Sequence, residues 1–241
     1  MATFGELKDA IRTVDGWLSE REAQYLYALA KDGPGHGVVV EIGSWKGKST
    51  IMLAGGTKAA KREKVFAIDP HVGGPDQAKY GHTNVNTELE FRQNIARAGV
   101  SEYVTAIVKR STDAVRNWNS AVRLLWIDGD HSYEAVRDDF VFWHPYVVDG
   151  GIIAFHDTFA WEGPKRVVEE FVFPSGQFLP VGIVDSITAF QKVTKPAVSE
   201  FIRSKIILLL RSLYLKGRNH TLPGEIRKWS KAALGAMTRV P

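Results

Sequence analysis

An α/β fold, doubly wound around a mostly parallel sheet, is what this 241-residue sequence predicts, with a helical extension at its C-terminal end. Three observations carry that expectation. Short, almost wholly apolar runs recur along the first 193 residues, and segments of helical periodicity separate them. Four of the runs close on a glycine or an acid, where a strand gives way to a loop. Strands that are apolar throughout belong to a sheet covered on both faces.

Taken in order, residues 19–31 ("SEREAQYLYALAK") start a helix, with Ser19 as N-cap and Glu22 three residues on. "GVVVEIG" reads as the first strand and is followed by a helix over 48–60. "KVFAIDP" is the second, and a polar stretch leads from it to a helix over 87–98. "VTAIVKR" precedes a helix over 111–118, "RLLWIDGD" one over 132–146, and "GIIAFHD" one over 163–172. "ITAFQKV" closes the series. Ligands of such sheets sit at the carboxyl ends of the strands. Glu41, Asp69, Ser111, Asp128 and Asp157 stand there, so the edge is acidic.

A composition of 44% hydrophobic and 24% charged residues is that of an ordinary globular protein. The absence of cysteine excludes disulfides and thiolate metal sites. The opening "MATFGELKDAIRTVDG" shows no leader-like apolar segment, and no run approaches a membrane span, so a cytoplasmic protein is expected. Residues 191–241 carry eleven Lys/Arg against two acids, a net +9, which leaves residues 1–190 at −5. The basic balance therefore belongs to a tail, and the expected division is a domain over 1–193 and a basic helical extension over 194–241.

"VVVEIGSWKGKSTIMLA", residues 38–54, looks at first like a phosphate-binding loop. That loop needs four residues between its first glycine and Gly-Lys-Ser/Thr; here Gly43 and Gly47 are separated by three, and Ile42 stands where the first glycine should be. The dinucleotide fingerprint fails too, because Trp45 takes its second glycine position. What remains is Glu41-x-Gly43-x-x-x-Gly47-x-Ser49. Asp69 ends the next strand, where a ribose diol is usually held. An acid, a glycine turn and a ribose acid suit an adenosine ligand without a phosphate chain, S-adenosylmethionine (SAM) being the obvious one. Gly43 and Gly47 also suit a plain strand-to-helix turn, and Asp69 a helix N-cap.

In this order, "EIGSWKGKST", "AIDP", "KRSTDA", "IDGDHSYE" and "GGIIAFHDT" resemble the class I SAM-dependent methyltransferases. More narrowly, they resemble the metal-dependent small-molecule O-methyltransferases that act on catechols and macrolide sugars. The similarity runs from about Gly16 to Val193 and implies a Rossmann-like SAM-binding fold. It implies that Glu41, Gly43, Ser44, Gly47 and Ser49 line the methionine end of the cofactor. Asp69 would hold the ribose, and Ser111 the adenine side.

Methyl transfer from a sulfonium to an alcohol is a displacement that is eased when the alcohol loses its proton. A divalent cation and a nearby base together achieve that. Asp128 and Asp157 end two successive strands, about 4.8 Å apart if they are neighbours, and match the metal aspartates of the resembled family. Mg²⁺ is the expected ion. Asp128 also borders the cofactor. The family's third ligand lies beside the second aspartate, where this chain offers His156 or Thr158. His131 stands where the family carries its base, and its ordinary pKa suits that task; Asp130 is the alternative. Ser132 and Tyr133 open the following helix and shape the pocket.

The polar stretch "HVGGPDQAKYGHTNVNTELE", with His71, Tyr80 and His82, reads as an acceptor loop or as plain surface, and Trp17 as a wall opposite it. A polar loop favours a carbohydrate acceptor: a hydroxyl of a sugar, polysaccharide or glycosylated metabolite. The alternatives are a catechol-like phenol and a SAM-binding partner protein without transfer activity. "FIRSKIILLLRSLYLKGR", residues 201–218, is apolar on much of a helix and basic around the rest. It suits packing on the body or on a second subunit, or peripheral contact with an anionic membrane. Basic charge without aromatic platforms argues against nucleic acid.

Overall fold

A computed structural model describes residues 3–74, 78, 85–218 and 223–238. Tyr80 and His82 of the acceptor loop lie outside the described residues.

Seven strands form one sheet: β1 (Val38–Ile42), β2 (Val65–Ile68), β3 (Val104–Ile107), β4 (Val122–Ile127), β5 (Val147–Phe155), β6 (Phe178–Val184) and β7 (Ile187–Lys192). Their order is β3-β2-β1-β4-β5-β7-β6. The first five pair in parallel, and β7 pairs antiparallel with both β5 and β6. The order reverses between β1 and β4, which sets the ends of those two strands on either side of a crevice. Ile42 pairs with Ile127 and Ile127 with Phe155, so the turns that follow β1, β4 and β5 emerge side by side.

The expected strands and helices are all present, with two additions among the strands and N-terminal helices. Strand β6 was not anticipated, because Pro180 and Gly182 break its pattern. It lies at the sheet edge, with its register shifting between those two residues, and there a missing N–H is tolerated. Helix α1 (Phe4–Ile11) starts at a capping box in which Thr3 and Glu6 bond reciprocally. Helix α2 (Glu20–Asp32) starts the same way at Ser19 and Glu22. Then come α3 (Lys48–Ala59), α4 (Glu88–Arg97), α5 (Ser111–Ala114), α6 (Tyr133–Trp143) and α7 (Glu162–Val167).

Two apolar cores sandwich the sheet. Leu26, Leu29, Ile51, Leu53 and Trp126 belong to one, and Ile127, Phe140, Trp143, Phe155 and Phe190 to the other. The C-terminal extension is a pair of packed helices, α8 (Val198–Arg218) and α9 (Gly224–Met237). Ile207, Leu210 and Leu234 join the second core, so the tail is packed onto the body. Arg211, on the inner face of α8, is fully buried. Its guanidinium donates to the Glu169 carboxylate and to the Thr158 carbonyl, and stacks 4.8 Å from the Phe159 ring. No described helix is long and apolar enough to cross a membrane.

Candidate active site

Two cavities meet at the crevice between β1 and β4, sharing Gly43, Trp45, Asp128 and Gly129 in their walls. The larger, about 360 Å³, is lined by Asp69, Ser111, Asp130 and Asp139 among others. The smaller, about 200 Å³, is lined by Trp17, Ser44, Ser49, His131, Asp157 and Trp161 among others.

The glycine turn makes the junction. Gly43 has φ +84°, and a Cβ there would sit 2.1 Å from the Asp128 carbonyl oxygen and 2.6 Å from Gly129 Cα. Only glycine lets the turns after β1 and β4 approach this closely. Gly47, at φ +91°, caps α3 and faces Phe91 and Ile95 rather than either cavity. Glu41 also stands back from both cavities. It is fully buried, and its carboxyl accepts from Ser49 Oγ and Thr50 Oγ1, each at 2.5 Å. Burial pushes its pKa up to about 8; the two hydroxyls oppose this, and Asp128 and Asp69 add to it. Glu41 thus ties β1 to the first turn of α3 and presents a neutral carboxyl at neutral pH.

Asp69 does the reverse, using its charge to hold backbone. Its Oδ2 accepts the N–H groups of Ser44 and Trp45, both at 2.8 Å, and its Oδ1 accepts that of His71 at 2.7 Å. Four acceptor positions on a carboxylate less three leave one for a hydroxyl entering the larger cavity. Ser111 starts α5 and donates to Asp139. Asp139 was not anticipated, although it interrupts the buried stripe Val136-x-x-Asp139-Phe140-x-x-Trp143. Burial pushes its pKa up to about 7, against the bond from Ser111.

In the smaller cavity, Asp128, His131 and Asp157 each offer a ligand atom within 4.8 Å of the other two. His131 Nε2 lies 3.3 Å from Asp157 Oδ2, and its ring stacks on Trp161 with centroids 4.5 Å apart and planes 16° apart. Asp157 holds φ +53°, a conformation that costs an aspartate energy and aims its carboxylate at this cluster. The cluster differs from the expected metal set. His156 is buried, with Nδ1 2.9 Å from Asp128 Oδ1 and Nε2 pointing at Glu22 Oε1, 3.5 Å away. Burial alone would lower its pKa, but Asp128, Glu22 and Asp157 outweigh it and raise it to about 11. With its ring nitrogens turned to carboxylates on both sides, His156 lies beneath Asp128 as a brace. Thr158, the other third-ligand choice, is turned away too, bonding to the Ser186 carbonyl and Thr188 Oγ1.

Glu22, also unanticipated, anchors the far side of His156. Burial works against its charge, yet bonds from His156 and Ser186 hold its pKa down at about 2. Asp130 lines the larger cavity and caps the turn into α6 by accepting the Ser132 N–H at 2.7 Å, which sets it apart from His131 and Asp157. Trp17 lies at the mouth of the smaller cavity, its ring 6.1 Å from that of Trp45. Lys48 Nζ donates to the Gly16 carbonyl at 3.0 Å and so holds that segment against the glycine turn. Two hard carboxylates and one imidazole are a donor set that suits a divalent cation such as Mg²⁺ or Mn²⁺.

Residues 40–158 match the family model of a methyltransferase domain. This stretch of the chain is thus similar to a methyltransferase domain. The match spans the glycine turn, the larger cavity and the acidic cluster, and leaves Trp17 and Trp161 of the smaller cavity outside it. The chain is also 31% identical over 120 residues to an uncharacterized protein, R132, of Acanthamoeba polyphaga mimivirus; this covers 49% of the chain and 50% of the viral protein. The match thus spans about half the length of that relative. In fold, the chain resembles an O-methyltransferase from Bacillus cereus in complex with S-adenosylhomocysteine (SAH). Their TM-score is 0.58 at 17% identity, over 80% of this chain and 93% of the other. It also resembles CalS11, a TDP-rhamnose 3'-O-methyltransferase of calicheamicin biosynthesis, with a TM-score of 0.51 at 13% identity over 78% and 92% of the two chains.

Proposed function

We propose that the protein is an O-methyltransferase that binds SAM across the two cavities and methylates a hydroxyl of a sugar or glycosylated metabolite with the help of a divalent cation. The observation that carries this reading is the Asp128–His131–Asp157 cluster, which opens into the cavity adjoining the one with Asp69 and Ser111. The likeness to CalS11 supports the sugar acceptor.

In this reading Asp69 takes a ribose hydroxyl at its remaining acceptor position, and Ser111 with Asp139 frames the adenine end. The glycine turn, which adjoins Asp128, would receive the sulfonium end. When bound, SAM supplies the methyl group. Asp128 and Asp157 would hold a cation, whose charge would lower the pKa of an acceptor hydroxyl. His131, steadied by the Trp161 face, takes the hydroxyl proton. His156, pinned between Asp128 and Glu22, keeps Asp128 in place. Trp17, Trp45 and Trp161 shield the site from water and offer flat faces to a ring.

Calorimetric titration with SAH tests the cofactor half, with one saturable site expected and at least a tenfold loss of affinity in Asp69→Ala. A methyl-transfer screen over sugars and catechols, with and without EDTA, tests the other half. Transfer to sugars that EDTA abolishes is expected. A chain that turns over simple catechols faster is a phenol enzyme, and SAH binding without transfer to either class marks a non-catalytic partner protein. His131→Ala separates two roles for that residue. Lost rate with intact cation affinity makes it the base, whereas lost cation affinity makes it the third ligand.

A further inference from the structure

The helical extension leaves one face of α8 uncovered. Ser204, Ile207 and Leu210 point into the body, while Phe201, Ile202, Ile206 and Leu209 are exposed at 42%, 54%, 43% and 59%. At 3.6 residues per turn these four fall within a sector of roughly 140° opposite Ile207. Lys205 lies inside the same sector, its ammonium 5.0 Å from the Phe201 ring. Exposed apolar residues are ordinary when scattered; four on one helix face make a surface for contact.

We propose that this face docks the protein on an anionic lipid bilayer, lying in the interface with its four apolar side chains among the acyl chains. Charge decides the occupant. The net +9 of residues 191–241 is attracted to such a surface, while the −5 of residues 1–190 is repelled, so the field turns the tail toward the lipid and the body away. Lys205 suits this placement, because its stem can lie along the apolar stripe while its ammonium reaches the headgroups. A second copy of the chain fits poorly: the sector contains no acid, so self-pairing would set lysine against lysine. The absence of a described membrane-crossing helix agrees with a surface-lying mode. Arg211, on the inward side of the same helix, bonds to the Thr158 carbonyl, so the docking helix is tied to the turn that carries Asp157. The inference does not depend on what the protein methylates.

Co-sedimentation of the full chain with vesicles of equal parts phosphatidylglycerol and phosphatidylcholine tests it, beside vesicles of phosphatidylcholine alone. Binding to the anionic vesicles that weakens as salt is added is expected, with little binding to the neutral ones. Leu209→Asp and Ile206→Asp change exposed positions, so their thermal midpoints should match that of the parent while partitioning falls at least tenfold. Lys205→Gln should lower partitioning about fivefold. Failure to sediment with anionic vesicles overturns the proposal, as does binding that Leu209→Asp leaves unchanged. A lipid-free dimer in sedimentation velocity that Leu209→Asp dissolves also overturns it, and assigns the face to a second copy.

Discussion

The two cavities use carboxylates in opposite ways. In the larger, Asp69 is an organiser: three backbone N–H groups converge on it, and the loop after β1 takes its shape from that charge. In the smaller, the chain is the organiser. A buried His156, a strained backbone at Asp157 and the stacked Trp161 hold Asp128, His131 and Asp157 around one point. Carboxylates gathered this closely repel one another. Burial raises the Asp128 pKa above the usual carboxylate range, Asp157 adds to that, and His156 opposes it. Such a site stays together only because the fold over-determines it, and a cation would relieve the repulsion.

The largest effect that would break this contrast lies in the smaller cavity. Asp157→Ala should lower methyl transfer more than about a thousandfold while SAH affinity stays within a factor of two, as read by single-turnover kinetics and calorimetry. A rate within tenfold of the parent would show that the cluster is structural.

Next in size is the wall the cavities share. Gly43→Ala places a Cβ against the Asp128 carbonyl and forces a side chain into a positive-φ position. A loss on the order of 3 kcal/mol in urea unfolding is expected, with both cavities damaged together. A loss below about 1 kcal/mol would mean that the β1 and β4 turns can part without cost, and that the cavities are less coupled than their common wall implies.

His156→Gln sharpens the contrast by removing only the support under Asp128. Apparent cation affinity, or rate at limiting cation, should fall about ten- to a hundredfold with SAH binding unaffected. Equal loss of SAH affinity would make His156 part of a single site rather than a prop for one side.

Much of this arrangement was legible in the sequence, and the exceptions have physical causes. The parallel strands and their ends followed from apolar runs and the acids after them, because strands buried on both faces leave a one-dimensional signature. Strand β6 was hidden by Pro180 and Gly182, which an edge position permits. Helix α1 had a readable start in Thr3-x-x-Glu6, but its eight residues make barely two turns, too few for a clear periodic stripe. The third member of the acidic cluster was harder. Which way the residues after β5 turn depends on the positive φ of Asp157, and no local pattern announces that. Glu22 meets His156 from 134 residues away in the chain, a contact that no local pattern could reveal.

The smallest predicted effect concerns Glu41, which belongs to neither cavity yet supports the turn between them. Its pKa is raised from the ordinary 4.5 to about 8 in the folded chain, so between those values the folded state holds a proton that the unfolded state has released. Folding therefore binds protons, and stability should decline as pH rises through that window, by at most about 1.4 kcal/mol per pH unit, and level off above it. Below pH 4.5 both states are protonated and this contribution is flat. Glu41→Gln keeps partners for Ser49 and Thr50 but cannot ionise. Urea midpoints measured from pH 5 to pH 9 should fall less steeply in the variant than in the parent, and the two curves should diverge most at the alkaline end. If they run parallel, Glu41 is ionised at neutral pH, and the charge beneath the glycine turn must be balanced by something other than two hydroxyls.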